Sequence, residues 1–185
     1  SGTVIVTTGT TNTYVAEELL GEKIEPGTFV TGRTYPTKGG RKLKPKGDFV
    51  RVIVLKNGKR GKDLPLDDAL KGLKAGDVVM KGGNMLDYEN RVAGVLVGHH
   101  AAGTIGKVMP YIVGRKAHLV IPIGLEKECP GSGRKIAEKM RQPVKTVGRV
   151  PSMYPMTGEI VTEIEAIRLL TGAKAFQAAA GGIGG

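Results

Sequence analysis

A cation, two peptide units without side chains and a primary amide stand in a row at Lys81-Gly82-Gly83-Asn84, directly after the apolar run Val78-Val79-Met80. The combination suits an anion or a polyol. Lysine supplies a point charge, glycine lets a ligand approach backbone N–H groups, and asparagine offers both a donor and an acceptor. Asp87 closes the stretch and serves either a ligand hydroxyl or the local turn. A second group of the same kind lies upstream, where Val4-Ile5-Val6 runs into Thr7-Thr8-Gly9-Thr10-Thr11-Asn12-Thr13. Thr8, Gly9, Thr10, Thr11 and Asn12 would set hydroxyls and N–H groups around a phosphate at a helix N-terminus. The same hydroxyls also suit plain helix capping. A third is Gly98-His99-His100-Ala101-Ala102-Gly103-Thr104-Ile105-Gly106, in which Gly103 and Thr104 open a helix and form another anion-site candidate.

Acid–base chemistry is thinly supplied. His99 is a candidate base or donor, but neighbouring residues of an extended chain point oppositely, and no third ligand lies at metal spacing, so no metal is expected. Glu126 follows the apolar run Leu119–Ile123 and stands on the same presumed edge as Lys81. Cys129 is the single cysteine, which excludes an intrachain disulfide and a cysteine-based zinc cluster. Beside it, Pro130-Gly131-Ser132-Gly133-Arg134 has the composition of a phosphate loop, yet no base accompanies the thiol. No cofactor is implied. Lys81, Asp87, His99 and Glu126 are the catalytic candidates, and they form no matched acid–base pair.

The elements that must position these groups alternate between strand and helix. Strands are predicted at Val4–Val6, Phe29–Arg33, Phe49–Lys56, Val78–Lys81, Arg91–Val97, Leu119–Ile123 and Val144–Val150. Helices are predicted at Tyr14–Leu20, Pro65–Leu73, Thr104–Val113, Arg134–Met140 and Glu159–Leu170. In the last, Ile160, Ile164, Ile167 and Leu170 share a face and Gly172 closes the helix. Asn57-Gly58 marks a hairpin turn. β-branched runs that are apolar on both faces, alternating with helices, predict an α/β fold of three layers around a mostly parallel sheet. Ligands of such sheets bind beyond the carboxyl ends of the strands, where Lys81 falls.

The 185 residues suit one domain, 1–185, with a basic loop and hairpin inserted at 35–62. Formal net charge is +11, which nucleic acid, anionic lipid or a phosphorylated metabolite would each match. Much of the excess lies between Lys38 and Lys62, so Arg41, Lys42, Lys44 and Lys46 form the candidate nucleic-acid surface. Aromatic residues are only 4% of the chain, too few for a base-stacking platform. With no signal peptide and no apolar run approaching a membrane span, a cytoplasmic protein without membrane contact is expected. Ser1-Gly2 has the look of a tag-cleavage scar, and the C-terminal Ala-Gly run reads as a last strand with a glycine loop or as disordered chain.

These motifs resemble a known superfamily that contains ribose-5-phosphate isomerase, glucosamine-6-phosphate deaminase and the CoA transferases. Val6-Thr7-Thr8-Gly9-Thr10-Thr11 is similar to the isomerase's phosphate loop, a Gly-Thr-Gly-Ser-Thr run after the first strand. Asp77 to Asp87 is similar to its Asp-Gly-Ala-Asp-Glu-Val-Asp strand end, and Gly98 to Gly106 to its second glycine-rich loop. The likeness covers roughly the first 125 residues. It implies a Rossmann-like fold, a phosphorylated or nucleotide-like ligand and a homo-oligomer, on the analogy of the superfamily. The departures bear on chemistry. The isomerase's two catalytic aspartates fall on Lys81 and Asn84, its glutamate falls on Met85, and only Asp87 is retained. Its later Lys-Gly-Gly-Gly loop has no counterpart in His99–Gly103. None of Glu89, Glu126, Glu128 and Glu159 stands in the Ser-Glu-Asn-Gly context of a CoA-transferase nucleophile. The expectation is therefore an isomerase- or transferase-like protein that binds a phosphorylated metabolite without the usual carboxylates. The alternatives are a nucleic-acid-binding protein and a non-catalytic regulatory or assembly module.

Overall fold

A computed structural model describes residues 2–25, 27–30, 52–148 and 150–179. Arg41, Lys42, Lys44 and Lys46, with most of the predicted insertion and the predicted strand residues 31–33 and 49–51, lie outside the described residues. So does the end of the glycine-rich tail.

The fold is α/β and Rossmann-like. Four parallel strands carry it: β1 (Thr3–Val6), then β4 (Val78–Met80), β7 (His118–Pro122) and β9 (Glu159–Val161), in that spatial order. The registers place Val4 beside Val78, Val79 beside Leu119 and Ile121 beside Ile160. On the other side of β1 the antiparallel hairpin β2 (Ile53–Lys56) and β3 (Lys59–Arg60) completes six strands. Its turn is Asn57-Gly58, with φ of 53° and 76°. Paired positive φ angles define the type I′ turn that matches strand twist, hence the Asn-Gly sequence.

Alternation decides which helix covers which face. Val6, Ile53 and Leu55 turn toward α1 (Thr10–Leu20), where Ala16 and Phe29 complete a small core. Ile5, Val79, Leu119, Ile121 and Ile160 turn to the opposite face, against α2 (Leu66–Lys71) and α3 (Gly103–Arg115). Each fully buried aliphatic side chain of this kind contributes roughly 1.5–3 kcal/mol.

A second, antiparallel sheet is threaded through the chain between these strands. It consists of β5 (Met85–Asp87), β6 (Val92–Val97) and β8 (Ser152–Met156), with β6 in the middle. Leu86, Ala93, Val95 and Met156 join the main core, while Met85 and Met153 face Ala137 of α4 (Gly133–Met140). Helix α5 (Glu163–Thr171) follows β9.

Three sequence expectations are corrected here. Val144–Val150 is not a strand. Val144, Val147 and Val150 are exposed in a connecting segment, and the strand is Ser152–Met156. The last helix begins at Glu163 rather than Glu159, because Glu159–Val161 pairs with β7, and Ile167 and Leu170 on its expected core face are 42% and 85% exposed. Finally, Met85–Asp87, read as part of a ligand loop, is the strand β5. Among the described residues no helix is long and apolar enough to cross a membrane.

Candidate functional site

The parallel strands deliver their carboxyl ends to one edge, and four chain segments meet there. The first is the turn from β1 into α1. Thr7 and Thr8 are buried, and the Gly9 N–H donates to the Phe29 carbonyl (2.9 Å), so this donor is held by the protein. The helix starts at Thr10, so Thr10, Thr11 and Asn12 are its first turn rather than a loop. Gly9 at the N-cap has no side chain to accept from that turn, which leaves the positive end of α1 unshielded.

Asn12 is fully buried and locks the first segment to the second. Its Nδ2 donates to the carbonyls of Thr7 (2.8 Å) and Met80 (3.1 Å), and these two acceptors fix the amide orientation. Its Oδ1 has no hydrogen-bond partner among the described residues. A β-carbon built on Gly82 would stand 3.7 Å from that oxygen. An unsatisfied buried acceptor costs roughly 1–3 kcal/mol, so the position is one that a donor would stabilise.

The second segment is Lys81-Gly82-Gly83-Asn84. The Lys81 N–H continues the ladder to Val120, and its side chain folds back under the strand end, leaving the residue 9% exposed. Its Nζ donates to the Gly82 carbonyl at 3.0 Å. Among the described residues no carboxylate pairs with it. Burial, and then the nearby charge of Lys127, pull its pKa down to about 8.

Lys127 belongs to the third segment, a 3-10 turn at Leu125–Lys127 just past β7. Its Nζ donates to Thr11 Oγ1 at 3.3 Å and lies 3.6 Å from the half-exposed Glu126 carboxylate. Lys127 thus lies against the first turn of α1 and near enough to Lys81 for its charge to act there, with Glu126 as the nearby anion. Sequence reasoning singled out Glu126 and passed over Lys127, though both stand in the Gly-Leu-Glu-Lys run that leaves a strand. The fourth segment, where β9 enters α5, closes the edge: Glu163 accepts from the Leu125 N–H at 3.0 Å.

The remaining candidates do not join this group. Gly83 is glycine for packing, since a β-carbon there would lie 2.9 Å from Ile123 Cδ1 and 3.0 Å from the Gly94 carbonyl. Asn84 fastens the entry to the second sheet, donating its N–H to Gly94 and accepting from the Leu96 N–H. Asp87 is a structural anchor. Its buried carboxylate accepts from the Gly133 N–H at 2.8 Å and from Asn90, tying β5 to the start of α4. Burial alone would raise its pKa, but these hydrogen bonds outweigh burial and hold it below the ordinary value.

His99 and His100 stack on each other, with centroids 4.2 Å apart, and both are exposed. His99 Nδ1 accepts from the Ala101 N–H, an ordinary turn contact. Gly103 and Thr104 do open α3, but the glycine-rich composition there has a packing cause. A β-carbon on Gly106 would collide with the Ala101 carbonyl at 2.1 Å. An open cavity of about 320 Å³ lies elsewhere, between Asp87–Glu89 and Glu128–Gly131. Cys129, on its wall, has a pKa raised chiefly by burial and then by Asp87, which makes it a poor nucleophile. Among the described residues no cluster of His, Cys, Asp or Glu is arranged to hold a metal. No family model, curated protein or solved structure matches this chain.

Proposed function

We propose that this chain binds a small phosphorylated metabolite, a sugar phosphate or nucleotide-like compound, at the carboxyl edge formed by β1, β4 and β7. In this reading it is a relative of the isomerase, deaminase and CoA-transferase superfamily whose usual carboxylates are replaced by Lys81 and Asn84. The observation that carries the reading is Lys81, a buried cation with no carboxylate partner, facing a second cation and an uncapped helix start. Keeping a lysine in that setting opposes folding, because burial and Lys127 both disfavour its charge. An anion held beside Lys81 by Lys127 and the α1 N–H groups offsets part of that cost. Asn12 Oδ1, a buried acceptor without a partner among the described residues, stands beside Gly82 at the same strand end.

A thermal-shift series with ribose 5-phosphate, glucosamine 6-phosphate, nucleotides and CoA tests the reading. A ligand of the folded state raises the melting temperature by mass action. The shift should vanish in Lys81→Met and shrink in Lys127→Met. Absence of any stabilising phosphate compound in the unsubstituted protein would refute it.

A further inference from the structure

We infer that Lys81 is a nucleophile that forms an imine with an aldehyde or ketone carbonyl of the anionic metabolite held at this edge, an assignment that rests on the binding reading above. Lys81 Nζ has the neutral Gly82 carbonyl as its hydrogen-bond partner, and no carboxylate among the described residues holds it protonated. Burial and the charge of Lys127 both favour the free amine, which carries the lone pair. With the pKa at about 8, on the order of a tenth of the population is unprotonated at neutral pH, against far less than a hundredth for an ordinary lysine.

The surroundings suit the rest of the step. The Lys81 nitrogen attacks the carbonyl carbon, forming the C–N bond, and the π electrons move to the carbonyl oxygen, which takes up a proton. The carbinolamine then expels that oxygen as water, leaving C=N. The two hydrogens of that water are the two the free amine carried, one passed to the oxygen on addition and one lost from nitrogen on dehydration, and no oxidant or reductant is needed. Lys127, three residues beyond Gly124 and in contact with Thr11, is placed to hold the ligand's anionic group. A β-carbon on Gly82 would face the Pro122 carbonyl (3.5 Å) and Asn12 Oδ1 (3.7 Å), so the glycine keeps the space beside that unpartnered acceptor clear. An imine acidifies the neighbouring C–H bonds. It thereby supplies electron withdrawal by a route that does not need the paired carboxylates this edge lacks.

The test is reductive trapping. The full chain is incubated with dihydroxyacetone phosphate and cyanoborohydride, and adducts are located by peptide mass mapping. Glycerol 3-phosphate, which has no carbonyl, serves as the binding-only comparator in a parallel thermal-shift measurement. We expect an adduct on Lys81 at least roughly tenfold above the mean of the other lysines at pH 7, its excess following from the lowered pKa. Lys81→Arg should lose the excess adduct while the other lysines keep their background level. Lys127→Met should move the midpoint of the trapping-versus-pH curve upward, a change that a merely structural role would not produce. Stabilisation by both compounds with adducts spread evenly over the lysines overturns the imine and leaves the binding reading standing. No thermal shift with either compound and no Lys81 adduct overturns both.

Discussion

Helices α1 and α5 start on the same edge of the sheet, and their first turns are finished in opposite ways. At α5 a capping box is formed. Thr162 Oγ1 accepts from the Ile164 N–H, while Glu165 returns to accept from both the N–H and the hydroxyl of Thr162. The spare capacity of Glu165 is taken by the Tyr88 hydroxyl and by Arg91, which also donates to the Ile160 carbonyl. At α1 the cap is a glycine, Asn12 Oδ1 has no partner among the described residues, and Lys127 reaches Thr11 of the first turn with Glu126 beside it. The first arrangement closes upon itself and serves stability. The second leaves a helix start and a buried acceptor without side-chain partners among the described residues, the capacity on which the proposed binding rests.

The contrast can be broken most strongly at Glu165. Glu165→Ala removes a capping box and the partner of Tyr88 and Arg91, and should lower unfolding free energy by about 2–3 kcal/mol. Urea denaturation measures the loss, and ligand-induced thermal shifts should survive. The same carboxylate sets an acid limit. Burial opposes its ionisation, but the bonds from Thr162, Tyr88 and Arg91 bring its pKa from 4.5 to about 2. A depressed acid stabilises the fold above its unfolded pKa, so this contribution should be complete above pH 4.5 and drain away toward pH 2.

Lys81 should behave with the reverse sign. Its folded pKa lies below its unfolded one, so the unfolded chain binds more protons between about pH 8 and 10.5. Stability should therefore rise across that window, by on the order of 2 kcal/mol relative to Lys81→Met, whose profile lacks the rise. At neutral pH Lys81→Met should be as stable as the parent or more so, by about 1 kcal/mol, while losing ligand response. A clear destabilisation in urea would make Lys81 a structural residue like Glu165.

Asp87→Asn should cost about 1–2 kcal/mol, since the charge that receives the Gly133 and Asn90 donors is lost. Ligand response should not change. His99→Ala marks the small end of the scale, within about 0.5 kcal/mol in stability and without effect on binding.

How much of this was legible beforehand follows from what each segment signals locally. The strand at Val78–Met80 and the lysine at its end could be read because a short β-branched run stops at glycine. The second sheet could not. Met85–Asp87 is too short for alternation to show, and its polar end looks like chemistry. Ser152–Met156 contains Pro155, which argues against a strand, yet β8 is an edge strand where a missing N–H is tolerated. Val144–Val150 has the better pattern and no partner. The true start of α5 was signalled: Thr162 and Glu165 stand at capping-box spacing, and the helical placement of Ile160 overrode it. Lys127 was out of reach for another reason. Its contact with Thr11 spans 116 residues, and nothing in the local sequence links the two.

That separation has a consequence for how the protein matures. The pairings that enclose Lys81 join Val4 to Val78, Ala93 to Met156 and Val120 to Glu159. Non-local contacts of this order form late and slowly, because loop closure precedes any gain from pairing. Until they close, residue 81 is an ordinary hydrated lysine. Its lowered pKa is a property of the finished molecule, so in a nascent or unfolded chain it is no more reactive than the other lysines.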